Sequence, residues 1–215
     1  MLLDAFFPKI CVFCLNYSKY PLCPKCRGKV IVSSETYVEN TDFYTYGRLY
    51  CYGKYVGLLR ERFISFKFKK EMWLGNAFGS LMYDSFERSL NEIKPSLVTF
   101  VPVSRNRFKE RGFNQSEELA KGIARKLGID CVSVLSCIEN IGTQSKLSRK
   151  GRFSEVKGRF IVNNPDALNN VERILLIDDI FTTGATLGEC ALRISSCGVK
   201  TVDSMVFASG RNDIG

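Results

Sequence analysis

Two adjacent acids followed by a loop of threonines and glycine form the most chemically distinctive segment of the sequence. Residues 174–177 are a continuous aliphatic run, typical of a central parallel strand, so Asp178 and Asp179 follow at its carboxyl end. Open α/β sheets bind ligands at this edge. The next residues offer hydroxyls, backbone amides at a helix start and a glycine that tolerates positive φ, so they can hold a phosphate. The segment therefore predicts a pocket for a phosphorylated sugar whose hydroxyls face the two acids. The residues of the loop are Thr182, Thr183, Gly184, Ala185 and Thr186.

A plain strand-to-helix turn with one capping threonine is the alternative for this segment. Such a turn needs one capping oxygen, whereas here two acids and three threonines surround a glycine. Neighbouring carboxylates repel each other, so their pairing favours a ligand accompanied by hydroxyls or a hydrated Mg²⁺. The helix that follows is predicted from one apolar face, with Gly198 at its end. That face consists of Leu187, Cys190, Ala191, Ile194 and Cys197.

Residues 174–186 resemble the phosphoribosyl-pyrophosphate (PRPP) signature of type I phosphoribosyltransferases. That signature has four apolar residues, two acids, two apolar residues and then Thr-Thr-Gly-x-Thr, and the match is continuous. The resemblance implies an α/β fold, with a Rossmann-like parallel sheet flanked by helices. It also implies that PRPP binds together with Mg²⁺, through Asp178, Asp179 and residues 182–186.

Four cysteines near the amino terminus have the spacing of a metal site, C-x2-C-x8-C-x2-C. Two such turns can present four thiolates at about 2.3 Å from one Zn²⁺, which closes a structural site. Disulfides and a redox C-x-x-C are the alternatives, but leftover thiols and two matched motifs favour zinc. We predict a zinc-finger domain over residues 1–40 and a phosphoribosyltransferase-like domain over 41–215, and we expect the other five cysteines to lie in the core. The predicted ligands are Cys11, Cys14, Cys23 and Cys26.

The segment after a second predicted strand, 97–101, is strongly basic. Its Val101-Pro102-Val103, followed by Arg-Gly-Phe-Asn-Gln-Ser at 111–116, resembles the ComF family, whose members are associated with DNA uptake in natural competence. The resemblance implies that this loop holds pyrophosphate and that a four-cysteine finger precedes the main domain. A solvated charged face is the alternative for these arginines, although guanidinium groups suit phosphate oxygens. The implied contacts are Val103, Ser104 and Arg105, with Arg107 and Arg111 as further pyrophosphate or DNA contacts.

Two further segments bear on the same resemblance. Residues 144–152 resemble a loop between core elements of that family, and Lys146 and Arg149 are candidate pyrophosphate or DNA contacts there. Where many members have Arg-x-x-Asn, this chain has Arg152-x-x-Glu155. Asn114, three residues before Glu117, also has the spacing of a helix cap, and capping is the role that we favour for it.

The positive charge of the chain is concentrated in three segments. The net charge is +9, and basic residues outnumber acids most strongly in residues 54–73, 104–126 and 146–159. Aromatic residues are interleaved with the first segment, a combination that binds single-stranded nucleic acid. Burial in the core is the alternative for aromatic residues at helical or alternating spacing, such as Phe63, Phe66, Tyr50 and Tyr52. The candidate DNA contacts in this segment are Lys67, Lys69 and Lys70.

The composition removes several functions. The sequence has no histidine, so Ser-His-Asp and Cys-His catalysis and His-ligated zinc are excluded. Phosphoribosyl transfer remains, because it depends mainly on positioning and electrostatic stabilisation. No apolar run approaches the roughly 18 to 20 residues of a membrane-spanning helix, and the first residues lack a basic stretch before their apolar one. We expect a cytoplasmic protein.

Three functions are compatible with these features. The first is a ComF-like protein that binds PRPP and Mg²⁺ and handles single-stranded DNA in natural transformation, with other DNA-uptake proteins as partners. The second is an active phosphoribosyltransferase that transfers the phosphoribosyl group to a nitrogenous acceptor. The third is a sensor whose affinity for DNA depends on bound PRPP. The sequence shows no recognisable nucleobase-specificity segment, so neither the acceptor nor a catalytic residue is assigned.

Overall fold

A five-stranded sheet forms the centre of the protein. The structure is a computed structural model, and it describes residues 10–32, 37–41, 44–138 and 156–211. The strands are β1 (Tyr37–Thr41), β2 (Tyr44–Lys54), β3 (Leu97–Phe100), β6 (Arg173–Phe181) and β7 (Thr201–Ser209). Their order is β1-β2-β7-β6-β3; the last four are parallel, and β1 is antiparallel to β2. The expected α/β fold with a parallel sheet is confirmed.

The two central strands are buried on both faces, as the aliphatic run predicts. Residues 174–177 of β6 are fully buried, and β7 is buried from its second residue to its last. Leu175 and Ile177 belong to one hydrophobic cluster, whereas Ile174 and Leu176 belong to another. Alternation between two cores is expected when helices cover both faces of a parallel sheet.

Helices and a small hairpin supply these two cores. The first core contains side chains of α2 (Gly57–Phe68), α3 (Trp73–Ile93) and α5 (Gln115–Leu127). The second contains side chains of α6 (Ala185–Ser195) and of the hairpin between β4 (Leu135–Cys137) and β5 (Phe160–Val162). The short helix α4 (Arg105–Arg111) follows β3 at the carboxyl edge of the sheet. Asn114 caps α5 by accepting a hydrogen bond from the Ser116 N–H, which confirms its capping role.

Phe63 and Phe66 of the first basic segment lie in the core. The rings of Phe63 and Phe207 stack with their centroids 4.7 Å apart, and Phe66 packs edge-on against Phe78 at 5.7 Å. Tyr50 and Tyr52 are also fully buried. Burial is therefore the correct interpretation for these residues, as periodicity indicates.

The cysteine-containing segment packs against the first core. It includes the short helix α1 (Pro24–Arg27), and the ring of Phe13 lies 5.7 Å from that of Phe78 in α3. The buried guanidinium of Arg62 in α2 donates a hydrogen bond to the Val12 carbonyl at 2.7 Å and pairs with Glu71 at 3.0 Å. The segment is thus attached to α2 and α3, while the division at residue 40 stays a prediction.

Of the five cysteines predicted to lie in the core, Cys51 and Cys190 are buried, Cys131 and Cys137 are half-buried, and Cys197 departs furthest from its predicted place. Cys190 is fully buried on the apolar face of α6, but Cys197 lies beyond the end of that helix and is exposed. Its predicted place on the apolar face is wrong because the helix ends at Ser195, three residues before the Gly198 expected to stop it. Among the helices in the described ranges, none combines the length and the apolar character needed to cross a membrane.

Candidate ligand-binding cleft and cysteine cluster

A cleft of about 540 Å³ opens at the carboxyl edge of the parallel strands. Ligand sites for small molecules have volumes of about 300 to 1,000 Å³, so the cleft can accept a phosphorylated sugar. Strand β6, the loop that follows it, the loop after β3 and the end of α2 all contribute to its wall. The predicted site residues in this wall are Lys67, Val103, Ser104, Arg107, Arg111, Asp178, Asp179, Thr182, Thr183, Ala185 and Thr186.

The two acids of the cleft have different partners. The Asp178 Oδ1 atom accepts hydrogen bonds from the Ser116 hydroxyl at 3.0 Å and from the Asp179 N–H at 2.8 Å. Burial and the neighbouring Asp179 carboxylate raise the pKa of Asp178 to about 7, although these hydrogen bonds and the ammonium of Lys67 act in the opposite direction. Near neutral pH, Asp178 is therefore divided between its charged and neutral forms.

Asp179 forms an ion pair with a lysine of another element. Its Oδ2 atom lies 2.7 Å from the Lys67 Nζ atom, and the two side chains are 19% and 13% exposed. The same ammonium lies 4.9 Å from the centroid of the Phe63 ring. Lys67 therefore connects the last turn of α2 to the carboxyl end of β6.

The threonine loop takes the shape that its sequence predicts. Gly184 has φ +77°, in the left-handed region that glycine adopts readily, and α6 begins at the next residue. Thr183 is buried, and its Oγ1 atom accepts a hydrogen bond from the Ala185 N–H at 3.4 Å. Asp178 and the loop residues, Gly184 included, enclose a smaller hollow beside the cleft. Backbone amides at the start of an 11-residue helix thus meet the carboxyl end of β6.

The basic loop after β3 forms another part of the cleft wall. Ser104 caps α4, since its hydroxyl accepts a hydrogen bond from the Arg107 N–H. Arg111 donates to the Gln115 side chain at 2.7 Å, and its guanidinium lies 5.7 Å from the centroid of the Phe68 ring. The cleft wall therefore includes both carboxylates and guanidinium groups, as a ligand with hydroxyls and phosphates would require.

Several sequence-predicted residues lie elsewhere. Arg105 begins α4 but is not part of the cleft wall, and Lys69 and Lys70 are exposed beyond the end of α2. Lys146 and Arg149 fall outside the residues that the structure describes, so their predicted contacts stay predictions.

The cleft wall also contains residues that the sequence analysis did not assign to the site. Signals for some were present: Ser116 belongs to the Arg-Gly-Phe-Asn-Gln-Ser motif, and Arg159 and Phe160 follow the segment with basic residues. Their proximity to β6 depends on the fold, because the chain reaches the cleft from distant positions. The additional residues are Tyr55, Val101, Pro102, Ser116, Cys137, Val156, Arg159, Phe160, Ile180 and Gly210.

Exposed aromatic and basic side chains lie beside the cleft on what we term the basic-aromatic surface. Phe68 and Trp73 are 57% and 44% exposed, and Phe108 of α4 is 48% exposed. Phe108 is one turn before Arg111, whose guanidinium covers the Phe68 ring, so α4 and the end of α2 form adjoining parts of this surface. Glu110 is the single acid of α4. The surface comprises Phe68, Lys69, Lys70, Met72, Trp73, Phe108, Lys109 and Arg111.

The four amino-terminal cysteines converge on one point. Their Sγ atoms all lie within 4.8 Å of one another, and those of Cys14 and Cys23 are 3.9 Å apart. Four thiolates at about 2.3 Å from a tetrahedral metal are about 3.8 Å apart, so the cluster has the dimensions of a metal site. All four are free cysteines, so the disulfide alternative is not adopted.

Backbone amides prepare this cluster for negative charge. Cys11 accepts a hydrogen bond from the Cys23 N–H, and Cys23 accepts one from the Cys26 N–H, each at 3.4 Å. Burial alone raises the pKa of Cys11, but hydrogen bonds from Cys23, Cys14 and Phe13 lower it to about 7. Burial and the neighbouring thiols raise the pKa of Cys26. Thiolates crowded in this way favour a shared cation.

The fold and the two sites define an α/β protein with a ligand cleft at the edge of a parallel sheet and a four-cysteine cluster near its amino terminus. No protein-family profile matches the chain. The sequence is 24% identical to Competence protein F of Haemophilus influenzae, over 92% of this chain and 95% of that protein. It is 27% identical to Competence protein ComFC of Streptococcus pneumoniae, over 88% of this chain and 77% of that protein. These similarities over most of the chain support the ComF resemblance.

A third relative matches a shorter part of the chain. The DNA utilization protein YhgH of Salmonella typhi is 33% identical over 50% of this chain and 47% of that protein. Its name refers to DNA, and the names of the other two relatives refer to competence.

Proposed function

We propose that this protein is a ComF-like, cytoplasmic protein that binds PRPP with Mg²⁺ in the cleft and handles single-stranded DNA during natural transformation. The observation that carries the proposal is the cleft, which brings the two signature acids, the threonine loop and two arginines of the basic loop to one edge of the sheet. The relatives named for competence and DNA utilization support the biological context and make other DNA-uptake proteins its expected partners.

The donors in the cleft suit the parts of PRPP. Backbone amides of the loop at residues 182–186 hold the 5′-phosphate, because a phosphate is stabilised at a helix start. The acids accept hydrogen bonds from the ribose hydroxyls, and Arg107 and Arg111 face the pyrophosphate. Val103 and Ser104 also line the cleft, whereas Arg105 lies outside its wall.

The acid pair is also suited to Mg²⁺. Asp179 already attracts the ammonium of Lys67, and the raised pKa of Asp178 means that a second negative charge is costly without a cation. Mg²⁺ uses few protein carboxylates and keeps oxygens of water or phosphate, which a cleft of this size can accommodate. When bound, the ion would neutralise charge on the pyrophosphate oxygens.

The cysteine cluster supports a structural Zn²⁺. A four-cysteine site leaves no open coordination position for a water, so the metal would hold the segment from Cys11 to Cys26 in place. The contacts of Phe13 and Arg62 then connect this segment to the rest of the protein.

Calorimetry with PRPP and Mg²⁺ tests the cleft. Asp178→Asn combined with Asp179→Asn removes both charges at nearly constant volume, so PRPP affinity should fall by about 100-fold or more. Asp166→Asn, at an exposed acid outside the cleft, is the control and should bind as the unaltered protein does. Unchanged affinity in the double variant, with retained folding, would remove the PRPP assignment.

Binding of an unstructured oligonucleotide tests the DNA part. Replacing Lys69 and Lys70 with Glu should weaken binding. The slope of log affinity against log salt concentration should become shallower by about 0.7 for each phosphate that the variant no longer neutralises. Lys94 and Lys200 flank β3 and β7 at the opposite edge of the sheet, so their replacement by Glu is the control. If both pairs of replacements have the same effect, the surface beside the cleft is not the DNA site.

The exposed rings provide an independent measurement. Phe68→Ala and Trp73→Ala should each reduce oligonucleotide affinity by about 5- to 160-fold, because a stacked base contributes about 1 to 3 kcal/mol. Leu192→Ala, at an exposed apolar residue of α6, should leave the affinity unchanged. Full affinity after both aromatic replacements would contradict base stacking on this surface.

An active phosphoribosyltransferase is the second candidate function. The observation that favours it is the presence of the half-buried Tyr55 in the cleft wall, because such a ring can stack on a planar nitrogenous acceptor. Incubation with PRPP, Mg²⁺ and a panel of bases, nucleosides and DNA should then release pyrophosphate. If PRPP binds but no acceptor yields pyrophosphate, the protein binds PRPP without transferring its phosphoribosyl group, and this second candidate function is contradicted.

A further inference from the structure

The ion pair between Lys67 and Asp179 places the Lys67 ammonium at the acid where Mg²⁺ would bind together with the proposed ligand. The two atoms are 2.7 Å apart, and both side chains are largely withdrawn from solvent. Lys67 belongs to α2 and Asp179 to β6, so the contact joins two elements that are distant in the sequence. A ligand that engages Asp179 through Mg²⁺ places a second positive charge beside the ammonium, and like charges at such distances repel each other strongly. The ammonium must then leave Asp179.

The surroundings of Lys67 determine where the ammonium can move. Its side chain has four flexible carbons, and its Nζ atom lies 4.9 Å from the centroid of the Phe63 ring, so the ammonium gives up this contact as well when it leaves Asp179. The next residues of the chain, 68–70, begin the basic-aromatic surface. Arg111, which lines the cleft, covers the Phe68 ring of that surface. The cleft and the surface therefore meet at the end of α2.

We propose that Lys67 couples the two ligands: it neutralises Asp179 in the unliganded protein and is released to a backbone phosphate of bound single-stranded DNA when PRPP and Mg²⁺ occupy the cleft. This inference rests on the proposed function for both ligands. Because coupling between two binding sites is reciprocal, DNA strengthens PRPP binding by the same factor by which PRPP strengthens DNA binding. Lys67 also affects which ligands the cleft accepts. A ligand that brings its own cation can replace the Lys67 ammonium at Asp179, whereas a ligand without a cation leaves that carboxylate without a partner.

The experiment measures the affinity of a thymidine oligonucleotide of roughly 20 residues, enough to span a typical single-strand site, with and without saturating PRPP and Mg²⁺. In the unaltered protein, PRPP and Mg²⁺ should raise the affinity for the oligonucleotide by about 3- to 10-fold. The slope of log affinity against log salt concentration should become steeper by about 0.7, the contribution of one phosphate. Lys67→Met keeps the packing of the stem and should abolish this enhancement. Lys69→Met removes the same charge from an exposed position, so it should weaken DNA binding but retain the enhancement.

A second variant imitates the released state and does not depend on the folding of Lys67→Met. Asp179→Asn removes the anchor of Lys67, so the oligonucleotide should bind about as tightly without PRPP as it does to the unaltered protein with PRPP. Asp178→Asn is the matched control, measured at pH 8.5, above the pKa of Asp178; it removes a neighbouring charge that Lys67 does not contact and should give a smaller gain. Equal gains in the two variants would indicate a general charge effect and overturn the proposal.

The outcomes separate this inference from the proposed function. A protein that binds both ligands without mutual enhancement, or whose enhancement survives Lys67→Met, contradicts the role of Lys67 and leaves both sites in place. A protein that binds neither PRPP nor the oligonucleotide contradicts the proposed function, and the inference fails with it. Lys67→Arg, which retains the charge, should preserve at least part of the enhancement.

Discussion

At the scale of single residues, the carboxyl group of Asp178 has an environment unlike that of an acid in water. It lies half-buried in the cleft wall beside the carboxylate of Asp179 and receives hydrogen bonds from Ser116 and from the backbone. Burial and like charge favour the neutral form more than the hydrogen bonds favour the charged form, so its pKa is about 7. The folded protein therefore retains a proton here that the unfolded chain releases near pH 4.

This difference predicts a dependence of stability on pH. Since the pKa of Asp178 is higher in the folded state, its contribution to stability is full below pH 4 and is lost as the pH rises toward 7. Asp178→Asn removes that loss, so the free energy of unfolding of the variant should gain on that of the unaltered protein by up to about 4 kcal/mol between pH 4 and pH 8. Urea unfolding at both pH values measures the change. The exposed Asp166→Asn should show no comparable trend, and equal trends in both variants would contradict the assignment.

Residue types and their order predict one wall of the cleft but not the whole of it. Asp178, Asp179 and the threonine loop are consecutive, so local periodicity places them at a strand end beside a helix start. Lys67 is more than one hundred residues away in the chain, and its pairing with Asp179 depends on how α2 packs against the sheet. Such contacts arise from tertiary packing, which the distribution of charge along the sequence does not resolve.

At the scale of secondary-structure elements, the spacing between α3 and α5 positions part of the cleft. These helices approach closely at glycines: a Cβ atom at Gly79 would lie 2.3 Å from the Leu119 carbonyl oxygen, and one at Gly122 would lie 2.6 Å from the Asn76 carbonyl oxygen. Helix α5 begins at the residue before Ser116, the donor to Asp178. The close packing of the two helices thus determines where that hydroxyl meets the acid.

Substitution at this contact should affect both stability and the cleft. Gly79→Ala forces α3 and α5 apart, so the free energy of unfolding should fall by about 1 to 3 kcal/mol despite the higher helix propensity of alanine. PRPP affinity should fall as well, because Ser116 moves with α5. Gly28→Ala is the control, since that glycine has φ −71° and open space around it. Denaturant unfolding and calorimetry measure the two effects, and an unaffected Gly79→Ala would show that the helices adjust without cost.

The elements themselves were predictable to different degrees. The aliphatic run of β6, the apolar face of α6 and the cap of α5 all have local signals, and each is found where it is expected, except that α6 ends before Cys197. The strand order was not predictable, because hydrogen bonds join β2 to β7 across about 150 residues of chain. Exposed Phe68 and buried Phe66 show the same limit, since two similar residues in one helix differ only through what packs against each.

At the scale of the whole molecule, the cysteine-containing segment is attached to the helices beside the sheet by contacts in the first core, which include one buried arginine and one aromatic pair. Arg62 reaches both the Val12 carbonyl and Glu71, and its side chain is 9% exposed. The ring of Phe13 contacts Phe78, whose centroid lies 4.6 Å from that of Phe207 in β7. A change in the segment is therefore transmitted to the sheet through contacts in the core.

Loss of the arginine tests this attachment. Arg62→Met keeps an apolar stem but removes a buried charge with hydrogen-bonding partners, so the free energy of unfolding should fall by about 2 to 4 kcal/mol. Arg88→Met removes an arginine from an exposed ion pair with Glu92 and should change the free energy of unfolding by less than about 1 kcal/mol. Denaturant unfolding of both variants gives the comparison. Equal effects would mean that Arg62 contributes no more than a surface ion pair.

Removal of the metal should destabilise the entire protein and not the cysteine-containing segment alone. If Zn²⁺ joins the four thiolates, a strong chelator takes away the free energy that holds residues 11–26, and the packing of Phe13 and Arg62 against α2 and α3 weakens with it. We expect one cooperative thermal transition whose Tm falls by more than about 5 °C, a shift that corresponds to about 2 kcal/mol in a protein of this size. Cys14→Ser should reproduce the fall without chelator, whereas Cys197→Ser, outside the cluster, should respond to the chelator as the unaltered protein does. A separate early transition, or loss of zinc at constant Tm, would show that the segment folds independently of the sheet.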